Sequence, residues 1–590
     1  MMPNATNTPR QLLLTYLRPQ KSATALLILL VLSTLTLQLI NPQVMRTFID
    51  GAESGRPLDE LMQIAGLFIL LAVIRQVSQL ASSYVGEDVA WTATNALRAD
   101  LALHCLKLDM GFHKAHKPGE LIERVDGDIN QLATFFSQLV IQLSANLILC
   151  SGALVLLWLS DWTIGLTITL IAFCSLIVTR SLSARAIPLV EALREIEATL
   201  YGYAEEWLHG TETIRSNSAE TYILQRLSHL LRERWHRSDA SMQLTTMLNA
   251  VPHSVFALAY ITAFSVGAWR FFDGRISIGF LYITFYYIDL LRMPLWQLTR
   301  QIKQLQHALA SINRINALFA KQPTIVEKAQ PTHLAVAEQG LRVQFDALSF
   351  AYADEPETLI LDKINFTLAP NKVLGLLGRT GSGKTTLSKL LIRFYDPSSG
   401  AILLGPNGAQ VDLRDVAHSN LRRQIGMVTQ KVQLFNASVR DNLTLFDAQF
   451  TDEQITAALH MVGLDRWLAE LPNGLDSHLA ADDGLSAGEA QLLAFTRVFL
   501  ADPRLIILDE ASSRLDPATE QLIEKALDKL LHNRTVIIIA HRLATVNRAD
   551  EIMILRKGEM IEHGPRKQLM ANPDSHFAHL LQTGLTEGSA

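Results

Sequence analysis

Charge is scarce in this chain of 590 residues: Asp, Glu, Lys and Arg make up 18%, while 49% is hydrophobic. A soluble chain carries about 25% charged residues, and the apolar excess lies in the first half, so an ordinary soluble globule is excluded and an integral membrane class is expected. Cysteine is nearly absent. Cys105, Cys150 and Cys174 have neither disulfide-like nor metal-like spacing, and read as small apolar residues in helices. Positive excess is also missing. The net charge of −5 gives no reason to expect nucleic acid as a partner. No small-residue cleavage site follows the first apolar run, and that run is too long for a signal peptide.

What is present begins with apolar runs long enough to cross a bilayer core of about 30 Å. We place six, at roughly 22–46, 58–84, 135–158, 161–183, 246–271 and 276–297. Arg10, Arg18 and Lys21 precede the first, and basic residues crowd the 2–3 and 4–5 connections, which predicts cytoplasmic ends for the chain. Stretches 86–110 and 184–240 keep helical periodicity with mixed charge, so membrane helices should continue into the cytoplasm. Breaks fall at His116–Glu120 and at His209-Gly210-Thr211. The expected layout is a membrane domain over 1–321, a polar linker over 322–340, a soluble α/β domain over 341–580 and a tail over 581–590.

The soluble part holds the sharpest motif. Gly378, Arg379, Thr380, Gly381, Ser382, Gly383, Lys384 and Thr385 fit the phosphate-binding loop, between the apolar run Val373–Leu377 and a helical stretch opening at Thr386. Glycines let backbone N–H groups turn onto phosphate oxygens, and the helix N-terminus favours negative charge. Lys384 suits the β- and γ-phosphates of ATP, and the Thr385 hydroxyl suits Mg²⁺. About 125 residues later, the strand-like Leu505–Leu508 ends in Asp509 and Glu510. Asp509 is placed to hold Mg²⁺ through water, and Glu510 is the candidate general base for the attacking water.

Leu485-Ser486-Ala487-Gly488-Glu489 lies between these motifs and resembles the LSGGQ signature of ATP-binding cassette proteins. Gln430 matches that family's Q-loop, Ser513–Asp516 its D-loop and His541 its switch histidine, while Tyr352 stands where the family stacks an aromatic ring on adenine. Phe112–Asn130 and Glu206–Glu220 resemble its two intracellular loops. The chain thus resembles an exporter-type half-transporter along nearly its whole length. The fold implied is a membrane domain of six transmembrane helices with long cytoplasmic extensions, followed by a P-loop α/β nucleotide-binding domain. The resemblance implies ATP hydrolysis with Mg²⁺, with Glu510, His541 and Gln430 catalytic and Thr385, Gln430 and Asp509 around the metal. It adds Tyr352, Thr386 and, from the signature, Ser486 and Gly488 to the nucleotide contacts. It implies dimerisation with a second half-transporter, homo- or heterodimeric, each signature facing the other subunit's phosphate loop. Alternating access would then export a hydrophobic or amphipathic substrate (lipid, drug or peptide) across a bacterial inner membrane, among membrane lipids. A regulatory or gating subunit that binds ATP without transporting is the alternative.

The sequence departs from the family in places. Ala487 and Glu489 replace the usual Gly and Gln of the signature, and Ser477–Asp483 lacks the Gly-Glu core of the exporter X-loop. Two runs carry charge away from their ends: Arg75 in the second, Asp289 and Arg292 in the sixth. Charges in lipid are costly and usually face protein or a water-filled path. Three residues apart, Asp289 and Arg292 share a helix face and can pair. A structural pair is the favoured reading over a cavity lining. Tyr282, Phe285, Tyr286 and Tyr287 on the same run suit packing between helices or stacking on a substrate.

Overall fold

A computed structural model describes residues 9–134, 141–334, 339–430, 432–479, 485–509, 517–540 and 546–582. The chain divides into two compact units. One comprises Met1–Lys107 and Lys117–Gln322; the other comprises Leu108–His116 and Pro323–Ala590.

Six long helices dominate the first unit: α1 (Lys21–Glu53), α2 (Leu58–Lys107), α3 (Ile141–Ser160), α4 (Trp162–His209), α5 (Glu220–Phe272) and α6 (Ile278–Phe319). Each stands on one of the six apolar runs. α2, α4 and α5 have 50, 48 and 53 residues. At 1.5 Å per residue each is over 70 Å long, roughly twice a bilayer core, so their polar halves extend beyond any membrane they cross. Among the described residues, four helical segments are long and apolar enough to span: Leu14–Glu53, Leu58–Lys107, Trp162–His209 and Glu220–Phe272. Ser144–Ser160 is a shorter apolar helix. Asp289, Arg292 and three tyrosines dilute the apolar character of α6, and the six-span count rests on the sequence runs. The helical breaks carry short helices at Met110–Ala115, Pro118–Ile122 and Thr211–Ser216.

Within this unit, Ile164, Ile168, Phe256, Phe280, Ile283, Tyr287 and Ile288 form a buried cluster. Tyr287 belongs to packing: its hydroxyl donates to the Leu39 carbonyl at 2.9 Å and accepts from Gln43 Nε2 at 2.9 Å. A π-helical turn over Glu123–Asp128 brings Asp128 inward, where Arg314 of α6 grips it through Nε at 2.9 Å and through a second nitrogen. Ser311 Oγ donates to the same carboxylate at 2.9 Å. A buried carboxylate needs such partners, because unpaired charge is expensive away from water.

The second unit carries two main sheets. An antiparallel sheet runs β2–β1–β4–β5, from β1 (Arg342–Phe350), β2 (Leu361–Leu368), β4 (Ser399–Gly405) and β5 (Val411–Asp412). The larger sheet runs β10–β9–β3–β8–β7–β6, from β3 (Val373–Leu377), β6 (Ile425–Val428), β7 (Leu505–Asp509), β8 (Thr535–Ile539), β9 (Glu551–Arg556) and β10 (Glu559–Pro565). It is parallel except at β10. Its central strands β3, β7 and β8 are nearly continuous apolar runs because both faces are covered. Ile506 and Leu508 pack into one core with helical residues such as Phe495 and Leu459, while Leu505 and Ile507 pack into the other with Phe345 and Leu390. Burying each such side chain contributes about 1.5–3 kcal/mol.

Candidate nucleotide site

Parallel strands put their carboxyl ends on one edge of the sheet, where α/β folds bind ligands. Three of the expected segments leave from that edge. β3 runs into Gly378, β6 leads to Gln430, and β7 ends on Asp509. The register fixes their order: Leu376 lies opposite Ile539, Ile539 opposite Asp509, and Val428 opposite Leu508.

The phosphate loop is built by backbone that only glycine tolerates. Gly378 has φ +147, and a Cβ there would meet the Leu555 carbonyl oxygen at 2.3 Å. Gly383, at φ +104, caps helix α7 (Lys384–Leu391) and lies so close to the Ile360 carbonyl that a Cβ would sit 2.9 Å from it. Lys384 is buried, and its ammonium donates to the carbonyls of Gly378 at 2.5 Å and Arg379 at 3.1 Å. Ser382 Oγ is buried and has no hydrogen-bond partner among the described residues. An orphaned hydroxyl beside a buried ammonium, at a helix N-terminus, fits a phosphate group. Gly381 has nothing within 4 Å of its Cβ position and leaves the top of the loop open.

Tyr352 is tethered to this loop. Its hydroxyl lies 3.0 Å from Thr386 Oγ1, and Phe350 and Tyr395 approach its ring nearly perpendicularly at 4.9 and 5.2 Å. Thr385 is exposed at the head of α7. With Gln430 and the single carboxylate of Asp509, it offers hard oxygen donors of the kind Mg²⁺ takes while keeping waters and phosphate oxygens. No group of three or more His, Cys, Asp or Glu suited to a metal occurs among the described residues.

Ser486 is the N-cap of α8 (Ala487–Ala501), and Gly488 lies buried in the first turn. Ser486 Oγ accepts from the Glu489 N–H at 3.2 Å, and the Glu489 carboxylate accepts from the Ser486 N–H at 2.8 Å. The replacement of Gln by Glu is thereby explained, since either closes a capping box. Glu510, His541, Ser513–Asp516 and Ala480–Asp483 lie outside the described residues, so the expectations attached to them are carried by the sequence.

Two contributors escaped the sequence reading. Arg497 of α8 is buried enough to pull its pKa below the ordinary arginine value. It donates to the Asn442 carbonyl at 2.8 Å and the Gln433 carbonyl at 3.1 Å, tying the signature helix to the segment after Gln430. Lys114, inside the stretch that resembles the first intracellular loop, lies over Tyr352. Neither contact has a local sequence signal, because the partners are 55 to 240 residues away.

Long apolar helices joined to a phosphate-loop domain define a class, the membrane protein driven by nucleotide. The family model for the ABC transporter transmembrane region matches residues 24–295, and that for the ABC transporter nucleotide domain matches 361–513. The fatty acid ABC transporter ATP-binding/permease protein of Mycobacterium bovis is 30% identical over 82% of this chain and 75% of its own length. The ATP-dependent lipid A-core flippase of Idiomarina loihiensis is 29% identical over 97% of each chain. A bacterial Atm1-family ABC exporter solved with ATP bound shares the fold, with a TM-score of 0.76 at 24% identity over 97% of this chain and 99% of that one. The chain belongs to the ABC transporter family, as an exporter-type half-transporter. It is an integral membrane ATPase that couples ATP hydrolysis to transport, and its half-transporter layout implies a dimer.

Proposed function

We propose that this chain exports an amphipathic, lipid-like substrate as one half of a homo- or heterodimer in a bacterial inner membrane, with both termini cytoplasmic. Mg²⁺-ATP would be held by Gly378–Thr386 and Tyr352, with Thr385, Gln430 and Asp509 toward the metal. Glu510 would take the proton of the attacking water while His541 and Gln430 orient it. Ser486 and the Gly488 N–H would face the phosphates bound by the other subunit.

The observation that carries the substrate class is a polar and aromatic cluster on two helices, α5 and α6. Asp289 and Arg292 pair at 2.9 Å, yet their side chains stay 59% and 40% exposed. Tyr260 of α5 reaches Asp289 at 3.4 Å and lies stacked with Phe285, ring centroids 5.9 Å apart. Asp289 lies roughly three helical turns from the start of α6, and Tyr260 roughly three from the end of α5, and we read the charges as lying near mid-membrane on that basis. Lipid tails would leave that face unsatisfied. A charged head with an apolar tail matches such a mixture, and the named relatives handle a fatty acid and a lipid A-core.

Two measurements test this reading. In lipid nanodiscs, amphiphiles of matched chain length should raise the ATPase rate above basal, and a fully hydrophilic solute should not; equal response to both would refute it. Glu510→Gln should cut turnover at least about 100-fold while leaving ATP binding intact. Mixed dimers then separate the subunits. Ser486→Arg on one chain with Lys384→Ala on the other spoils one composite site and spares the second. Both lesions on one chain spoil each site, and equal activity in the two arrangements would refute the trans signature.

A further inference from the structure

The short helix Met110–Ala115 lies between helices of the membrane unit in sequence, yet it groups with the nucleotide unit. Asp109, its N-cap residue, fixes it there. The Asp109 carboxylate accepts from the Thr324 N–H at 2.6 Å, the Thr324 hydroxyl at 2.7 Å and the Ile325 N–H at 3.3 Å. The helix then presents Lys114, whose ammonium is 2.8 Å from Asp354 Oδ2 and 4.8 Å from the centroid of the Tyr352 ring. The hydrogen bond from Lys114 holds the Asp354 carboxyl below its ordinary range and keeps the lysine charged.

Tyr352 has little freedom to offer another surface. Its hydroxyl is tied to Thr386, and the rings of Phe350 and Tyr395 stand perpendicular to it. A cation is drawn to the negative face of an aromatic ring, and a purine stacks on the same face. The two cannot share it.

We propose that Lys114 is a positioning residue that covers the base-stacking face of Tyr352 and is displaced when a purine nucleotide enters. The inference rests on Tyr352 being the adenine platform. It gives the transporter a direct line from base occupancy to the membrane helices, because residues 108–116 continue without interruption into Lys107 and Lys117 of the membrane unit. The triphosphate alone would not trip it; the base is what competes.

The test uses the full-length dimer in nanodiscs and two probes, ATP and inorganic tripolyphosphate, which fills the phosphate loop without a base. Lys114→Met should tighten ATP binding about two- to fivefold, the range of an exposed cation–π contact, and leave tripolyphosphate affinity unchanged. It should also lower the ratio of substrate-stimulated to basal ATPase, which a merely structural role would not move. Asp354→Asn, which frees the ammonium from its carboxylate, should shift ATP affinity in the same direction by less. Lys114 is 59% exposed, so loss of folding is not expected. ATP and tripolyphosphate shifting together, no shift, or weaker ATP binding in Lys114→Met would each overturn the proposal. Tyr352→Ala separates the two levels. It should weaken ATP and spare tripolyphosphate; an unchanged ATP affinity would remove the platform itself, whereas a normal Tyr352→Ala effect beside a silent Lys114→Met would remove only the lysine's role.

Discussion

Leu505, Ile506, Ile507 and Leu508 in β7 are at most 1% exposed, whereas Ile69, Leu70, Val77 and Leu80 in α2 are between 55% and 71% exposed. The residue types are nearly the same and the solvents differ. In the nucleotide unit, apolar side chains leave water by packing on both faces of a parallel sheet. In the membrane unit they face outward, where lipid or a partner subunit, and not packing within the chain, takes them from water. Polar groups follow the opposite rule. Asp354 and Lys114 pair cheaply at a wet surface, while charges set in an apolar run, as Asp289 and Arg292 are, become costly wherever lipid is the solvent.

Glycine gives the sharpest way to break this comparison. Gly378 combines φ +147 with a carbonyl where a Cβ would go, while Gly66 in α2 has nothing within 4 Å. Gly378→Ala should weaken ATP binding at least about tenfold and lower the unfolding temperature of the nucleotide domain, since strain at such a backbone costs on the order of 1–3 kcal/mol before the clash is counted. Gly66→Ala should leave ATPase and yield unchanged, because alanine is the better helix former. Equal damage at both positions would show that α2 is packed against protein along that face.

The charged pair of α6 offers a middle-sized effect. If Asp289 and Arg292 are chiefly structural, either single neutral substitution should reduce folded yield, and the double substitution should partly restore it. If they meet substrate, the single variants should fold normally and lose amphiphile stimulation. Counting purified dimer and stimulated ATPase in the same four preparations decides between them.

Legibility in the sequence followed the range of the interactions. The phosphate loop, its flanking β3 and α7, and the run Leu505–Asp509 could be read because their chemistry is local: strand, turn and helix are consecutive. The long helices could be read because a bilayer imposes a run length. The Asp128–Arg314 grip, the Arg497 ties and the Lys114–Tyr352 contact could not. Each joins residues at least 55 positions apart, and each cation looks, in sequence, like any other surface charge. The packing of Leu108–His116 with the nucleotide unit overlaps the stretch that resembles the first intracellular loop, but its limits were not legible, since contiguous boundaries cannot express an inserted segment.

Glu489 carries the smallest effect, and it separates capping from catalysis. In the sequence it stands as a departure from the family's glutamine; in the fold it closes a capping box with Ser486 at the head of α8. Glutamine closes the same box, so Glu489→Gln should leave the domain's unfolding temperature within experimental error. Glu489→Ala opens one side of the box and should cost about 1 kcal/mol or less, a downshift of a few degrees in the melting of the nucleotide domain. Ser486 would keep its own bond to the first turn in both variants. Turnover at saturating ATP should therefore fall little in either, if the carboxylate only caps. A large loss of turnover in Glu489→Gln without a change in melting would mean that this charge acts on the partner's phosphates, and the capping account of the substitution would fail.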